Sequence, residues 1–262
     1  MYKIKINNVE MSMPSVTKIL NIKDKPALVP WAVNSMAKWI EQNAPLDEYG
    51  LYIVSPGALQ KAKREYRNIS DDALNVGSIV HDAILKHIEK EKNNIDNEEA
   101  KKSFDAFLDW EQTNAVEWLE AEKIVLNIGS GYTGRFDAIA KINGKTTLLD
   151  FKTSKDIYSE MKEQLGAYWF AYKEKKENYK IEIQGRDEDE LSEVDLTPKY
   201  KIESFGILRL DKETGFPEWK TYTKKEVKLA GEGFKTLTKY YYQSKKRRLK
   251  NNVYVEKYWG TK

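Results

Sequence analysis

Residues 134–153 read GRFDAIAKINGKTTLLDFKT, and the fold turns on the Asn143-Gly144 step at the centre of this stretch. Asn-Gly between alternating apolar residues is the strongest short signal for a hairpin closed by a two-residue type I′ turn. Such a turn fixes the register of the strands it joins. Ile142 then faces Lys145, and counting outward sets Asp137 opposite Asp150 and Arg135 opposite Lys152. The aspartates fall at a non-hydrogen-bonded position, where opposed Cα atoms lie about 4.5 Å apart. Two carboxylates this close disfavour folding unless something compensates them, and a divalent cation is the natural compensation. Side chains alternate along a strand. One face therefore carries Arg135, Asp137, Asp150 and Lys152, and the other carries Phe136, Ala138, Ala140, Ile142, Leu149 and Phe151 as core.

Working outward, residues 123–128 read as a strand before the hairpin, and the apolar spacing becomes helical over residues 157–175. Residues 202–210 read as a further strand, stopped by Asp211-Lys212-Glu213-Thr214-Gly215, and residues 225–250 as a last helix. Upstream, helices are expected in pieces over 14–43, from Ser55-Pro56 with proline at the first helical position, over 76–91, and around 104–119. Residues 1–11 read as a short strand or an extended arm, and 184–198 as an acidic loop. The core order is helix, three strands, helix, strand. This is an α/β (α+β) chain with a helical N-terminal cap over 1–75 and the core over 76–262.

Hydrophobic residues at 40% supply a real core, which argues against wholesale disorder. A net charge of +3 does not mark a general polyanion binder, so any basic surface must be local. The chain has no cysteine, which excludes a disulfide framework and an iron–sulfur cluster held by Cys. No apolar run reaches the ~20 residues of a membrane span. With no signal-peptide core in MYKIKINNVEMS, a soluble, cytoplasmic protein is expected.

Magnesium takes hard oxygen ligands, often one or two carboxylates, leaving room for water and phosphate. Asp137 and Asp150 offer that arrangement, and Lys152 can steady the charge on a reacting phosphate or position the attacking water. The Phe151 carbonyl would face the same side. His81 follows Gly77 by one helical turn, and Gln164 and Tyr168 share a helix face at i, i+4. Arg135 reads either as a phosphate contact or as the partner of an acid. Gln164 and Tyr168 stand equally for site residues and for a strand cap and a core tyrosine. Glu122 reads as an ordinary surface residue, with assistance to a metal the lesser alternative. Residues 245–250 (KKRRLK) read as the basic end of a helix rather than a DNA site.

Taken in order, Gly77…His81, Gly134…Asp137, Asp150-Phe151-Lys152 and Gln164…Tyr168 resemble the RecB-like exonuclease branch of the PD-(D/E)xK nuclease superfamily. The resemblance runs from about Gly77 to Tyr172. PSVTKIL near the N-terminus, with Lys25 and Trp31, is similar to the mitochondrial genome-maintenance exonuclease group and related phage exonucleases. The resemblance implies a restriction-endonuclease-like αβββαβ core and a Mg²⁺- or Mn²⁺-dependent DNA exonuclease. His81, Asp137, Asp150 and the Phe151 carbonyl would bind metal, Lys152 would be the catalytic lysine, and Gln164 and Tyr168 would hold the site or the DNA backbone. It also implies work on single strands or duplex ends beside recombination, repair or replication proteins, in a bacterial or phage-infected cell. Asp150 stands where the family has Glu or Asp, and relatives with iron–sulfur clusters are a different branch.

Two motifs compete. Residues 129–134 (GSGYTG) match GxGxxG, with Asp150 about where a ribose-binding acid would stand, so a dinucleotide enzyme is the alternative catalytic reading. It needs a helix directly after Gly134, whereas residues 135–142 alternate with period 2. Gly144-Lys145-Thr146 imitates the end of a phosphate loop, but Ile139 stands where the earlier glycine belongs. A non-cleaving DNA-binding protein on the same fold is the third reading.

Overall fold

The computed structural model describes residues 1–176, 179–184 and 191–246. The chain opens with β1 (Tyr2–Ile6), β2 (Val9–Met13), α1 (Val16–Leu20), α2 (Leu28–Asn43), α3 (Pro56–Ala62), α4 (Glu65–Ile88) and α5 (Glu98–Thr113). Then come β3 (Val116–Asn127), β4 (Tyr132–Ile142), β5 (Lys145–Lys152) and α6 (Ser159–Tyr172). It closes with β6 (Ile181–Gln184), β7 (Leu191–Glu193), β8 (Ser204–Leu210), β9 (Pro217–Tyr222) and α7 (Lys224–Lys246). The described residues are thus mixed α/β with two sheets, ordered β3-β4-β5-β8-β9 and β2-β1-β6-β7. Residues 247–250 of the basic cluster lie outside the described residues.

The Asn143-Gly144 turn forms with both residues at positive φ, 47° and 81°, as a type I′ turn requires. The register follows: Ile142 faces Lys145, Ile139 faces Leu148 and Ala138 faces Leu149. There the β4–β5 ladder stops, one step short of Asp137 and Asp150. A continued ladder would bond the Phe151 amide to the Phe136 carbonyl. Instead that amide donates to Oδ2 of Asp137 at 2.7 Å. β5 keeps its parallel pairing with β8 through Asp150, Phe151 and Lys152, while Arg135 remains paired to Ile124 of β3. The expectation that Asp137 opposes Asp150 and Arg135 opposes Lys152 as ladder pairs is therefore corrected. The β4–β5 pairing ends just before the two aspartates.

The expectation of a single buried face is corrected as well. β5 lies in the middle of its sheet and is covered on both sides. Phe136, Ile139 and Leu148 pack with Val16 and Ile19 of α1, Leu165 and Phe170 of α6, and Phe234 of α7. Ala138, Ala140, Leu149 and Phe151 pack with Val80 and Ile84 of α4 and Phe107 and Trp110 of α5. Strands buried on both faces are continuously apolar, and Leu148 to Phe151 fits that pattern except at Asp150.

Other departures have long-range causes. Residues 1–13 are a hairpin, turned at Asn7 and Asn8 (φ 47° and 67°), and β1 finds its second partner in β6. The 184–198 loop contains β7, and β9 follows the Gly215 turn along β8. α1 belongs to the core on the α6–α7 side, so the N-terminal region is not purely a helical cap. A boundary at 75/76 falls inside the continuous helix α4.

Residues 129–134 lead into β4, with no helix after Gly134. The backbone amides of Ile128 and Gly129 donate to the carboxylate of Glu174, at 2.7 and 3.0 Å. The anion at this glycine loop is thus a side chain of the protein itself, and the dinucleotide reading falls. Gly144 likewise precedes strand β5 rather than the helix of a phosphate loop.

Candidate active site

Three elements meet where β4 and β5 part. α4 carries His81 beside the buried Val80 and Ile84. A Cβ on Gly77 would sit 3.2 Å from Thr153 Oγ1, so this glycine lets the end of β5 approach the helix. His81 Nδ1 stands 3.6 Å from Asp137 Oδ1, and its ring meets Phe151 edge-on at 6.1 Å. Burial pushes the imidazole below its ordinary pKa, and the nearby Lys152 charge adds to this. A neutral imidazole can ligate a metal.

Asp150 is 1% exposed. Its Oδ2 pairs with the Lys152 ammonium, and its Oδ1 is buried with no hydrogen-bond partner. Burial pushes the Asp150 carboxyl up to about 7 and that of Asp137 to about 6, against the opposing pull of Lys152. For Lys152, burial pulls downward, but the two carboxylates outweigh it and the ammonium is held above its usual range. A carboxylate with an orphaned, buried oxygen is under-satisfied, and a cation supplies what it lacks.

Gln164 Nε2 donates to the Tyr168 hydroxyl at 2.8 Å. Tyr168 is buried, and burial and then the charges of Asp150 and Asp137 raise its pKa. A Cβ on Gly134 would come within 2.6 Å of the Tyr168 ring, so this glycine of the β4 motif makes room for the tyrosine of the α6 motif. The two motifs are structurally one. Arg135 takes the acid-pairing alternative, with Nε 2.6 Å from Glu122 Oε2.

Sequence reasoning ranked Glu122 first as a surface residue and only second as a helper of a metal. A glutamate in a strand next to a basic residue reads as surface, but this one adopts φ 50°, a backbone conformation sparsely allowed to residues other than glycine. Ligand atoms of His81, Glu122 and Asp137 all lie within 4.8 Å of one another. Ile84, Leu85 and Ile88 of α4 form the apolar wall of the narrow cleft beside them. No composition or spacing signal announces a left-handed glutamate.

Compared with known proteins, the chain matches no protein-family model and no curated sequence.

Proposed function

We propose that this protein is a Mg²⁺- or Mn²⁺-dependent deoxyribonuclease, an exonuclease that hydrolyses DNA phosphodiester bonds in recombination, repair or replication. The core would be restriction-endonuclease-like, and the work cytoplasmic, in a bacterial or phage-infected cell. The observation that carries the reading is Asp150, a sealed carboxylate with an orphaned oxygen, beside Lys152 and Asp137 at the point where two strands part. The pair with Lys152 leaves one Asp150 oxygen without a partner, and a metal ion would satisfy it.

The donor set fits a divalent cation. His81, Asp137, Asp150 and the Phe151 carbonyl would hold it. Once bound, such an ion polarises a phosphoryl oxygen and lowers the pKa of a bound water. Lys152, kept protonated by the carboxylates, offers positive charge to the phosphate oxygens, where charge accumulates during displacement. It acts as a cation and not as a proton acceptor. Tyr168, with Gln164 on its hydroxyl, is buried within reach of the charges of Asp150 and Asp137.

The substrate would be a single strand or a duplex end. On the N-terminal helices, Trp31 meets Tyr66 at 6.3 Å and Arg67 lies over the Tyr66 ring at 5.6 Å. Lys61, Lys63 and Arg64 are exposed nearby in sequence. Stacking rings with cations are what a nucleic-acid strand needs. The test is digestion of end-labelled single-stranded, duplex and circular DNA with Mg²⁺ or Mn²⁺. Cleavage from ends, abolished in Asp150→Ala and reduced at least a hundredfold in Lys152→Ala, supports the reading. Absence of cleavage in either metal, or full activity in both variants, overturns it. DNA binding that is insensitive to EDTA, without cleavage, would instead favour the non-cleaving alternative.

A further inference from the structure

We infer that Glu122 is an additional ligand of the metal centre and that Arg135 is its positioning residue. The inference rests on the metal site of the proposed nuclease but not on cleavage itself.

Glu122 lies on β3, opposite the point where β4 leaves β5. Its neighbours pair normally with β4, Ala121 with Ala138 and Lys123 with Phe136. Glu122 alone of these three has a left-handed backbone, φ 50°. A residue other than glycine held this way is locally strained. The side chain it delivers is 18% exposed and stands with His81 and Asp137, their ligand atoms within 4.8 Å of one another. Donors bound to one ion at about 2.1 Å lie at most about 4.2 Å apart. The cluster therefore needs only small side-chain movement to close on a cation.

A second observation is independent of this cluster. Asp150 is buried, has an unpartnered Oδ1, and interacts with both Asp137 and His81 through its charge. Asp150 stands outside the His81, Glu122 and Asp137 group but interacts through its charge with two of its members, and the basic groups paired with these carboxylates are Lys152, on Asp150, and Arg135, on Glu122. Arg135 binds Oε2 of Glu122 through Nε. A guanidinium bonded to one edge of a carboxylate fixes its orientation while the other oxygen remains free to ligate, the way outer partners orient metal ligands. Arg135 is one third exposed and does not touch the ion in this arrangement.

The imidazole makes the site more hospitable to Mn²⁺ than to Mg²⁺, since nitrogen donors favour transition ions. Mn²⁺ alone is therefore the probe. Binding to the full-length protein is followed by the electron paramagnetic resonance of free Mn²⁺ and by calorimetry, with no DNA present. Expected: Glu122→Gln, which preserves size and the contact with Arg135, weakens Mn²⁺ binding at least tenfold while metal-free melting stays within about 2 °C of wild type. Arg135→Lys weakens it about threefold, less than Glu122→Gln. Wild-type affinity in Glu122→Gln overturns the inference, as does an absence of Mn²⁺ binding to wild type. If Mn²⁺ binds, is weakened by Glu122→Gln, and DNA is still not cleaved, the nuclease reading fails while this one stands. Should Glu122→Gln not fold, Glu122→Asp, one methylene shorter, replaces it; unchanged affinity there likewise counts against a ligand role.

Discussion

Asp137 holds its charge against its surroundings. One oxygen accepts the Phe151 amide, yet burial raises its carboxyl to about 6. A raised carboxyl is a destabilised charge, at about 1.4 kcal/mol per unit. Asparagine at this place keeps an acceptor for the Phe151 amide and removes the repulsion with Asp150. Metal-free Asp137→Asn is therefore expected to be more stable than wild type at pH 8, by about 1–3 kcal/mol, in urea unfolding with EDTA present. Equal or lower stability would show that the charge costs nothing. The gain must vanish or reverse when Mn²⁺ is added, because the substitution removes a ligand. Lys152 is the counterpart: its ammonium keeps Asp150 ionisable, and a group so paired is a poor proton acceptor at neutral pH.

At the scale of elements, β5 is a strand that changes partners. It pairs with β4 from Lys145 to Leu149 and with β8 from Thr147 to Lys152, and the site lies where the first pairing has ended and the second continues. α6 packs against α7, and at Gly166 the two helices meet backbone to backbone. A Cβ on Gly166 would fall 2.5 Å from the Gly231 amide and 2.8 Å from the Val227 carbonyl. Backbone cannot yield as a flexible side chain can, so Gly166→Ala must push the helices apart. We expect a loss of about 2–3 kcal/mol in thermal unfolding, with a weaker effect on Mn²⁺ affinity. A melting point within a degree of wild type would contradict the contact.

Signals confined to a few neighbouring residues were legible. Asn143-Gly144 encodes its own turn, and Ser55 before Pro56 caps α3 by accepting the Ala58 amide at 3.2 Å. Spacing set Lys152 on the face of Asp150, where the two pair, whereas the approach of His81 to Asp137 was legible only through the resemblance of the ordered motifs. What escaped depends on distant segments. β1 is completed by β6 far along the chain, whereas β7 and β9 are short edge strands that pair with the strands just before them, β6 and β8. The end of the β4–β5 ladder is set by a side chain competing with backbone, which no periodicity records. Glu122 was ranked below its place for the same reason.

For the molecule as a whole, these charges give a pH signature. Asp137 and Asp150 have folded-state pKa values raised to about 6 and about 7, above the ordinary value near 4. The folded protein therefore binds more protons than the unfolded chain across that window, and its stability falls as pH rises from about 4 to about 7. Asp211 works the other way. The Thr214 amide and then Arg209 hold its carboxyl far below the usual range, so its stabilisation is present above the ordinary carboxylate value and is lost as pH falls below it. The metal-free protein should melt highest in mildly acidic buffer. Melting curves from pH 3 to 8 in EDTA test this, and saturating Mn²⁺ should lift the neutral end. A flat or rising profile between pH 5 and 7 without metal would contradict it. Among the described residues, no helix is long and apolar enough to cross a membrane.

α4 joins the two ends of this picture mechanically. A helix of its 24 residues is about 36 Å long. His81 sits roughly 10 Å from the end at Ile88, which packs beside α5, and about 24 Å from the end at Glu65, which stands among the N-terminal helices. Between those ends Val76, Val80 and Ile84 are buried against the sheet. The helix therefore works as a ruler, setting Tyr66 about 22 Å along its axis from His81, so the ring and cation of the N-terminal region keep a fixed spacing from the imidazole.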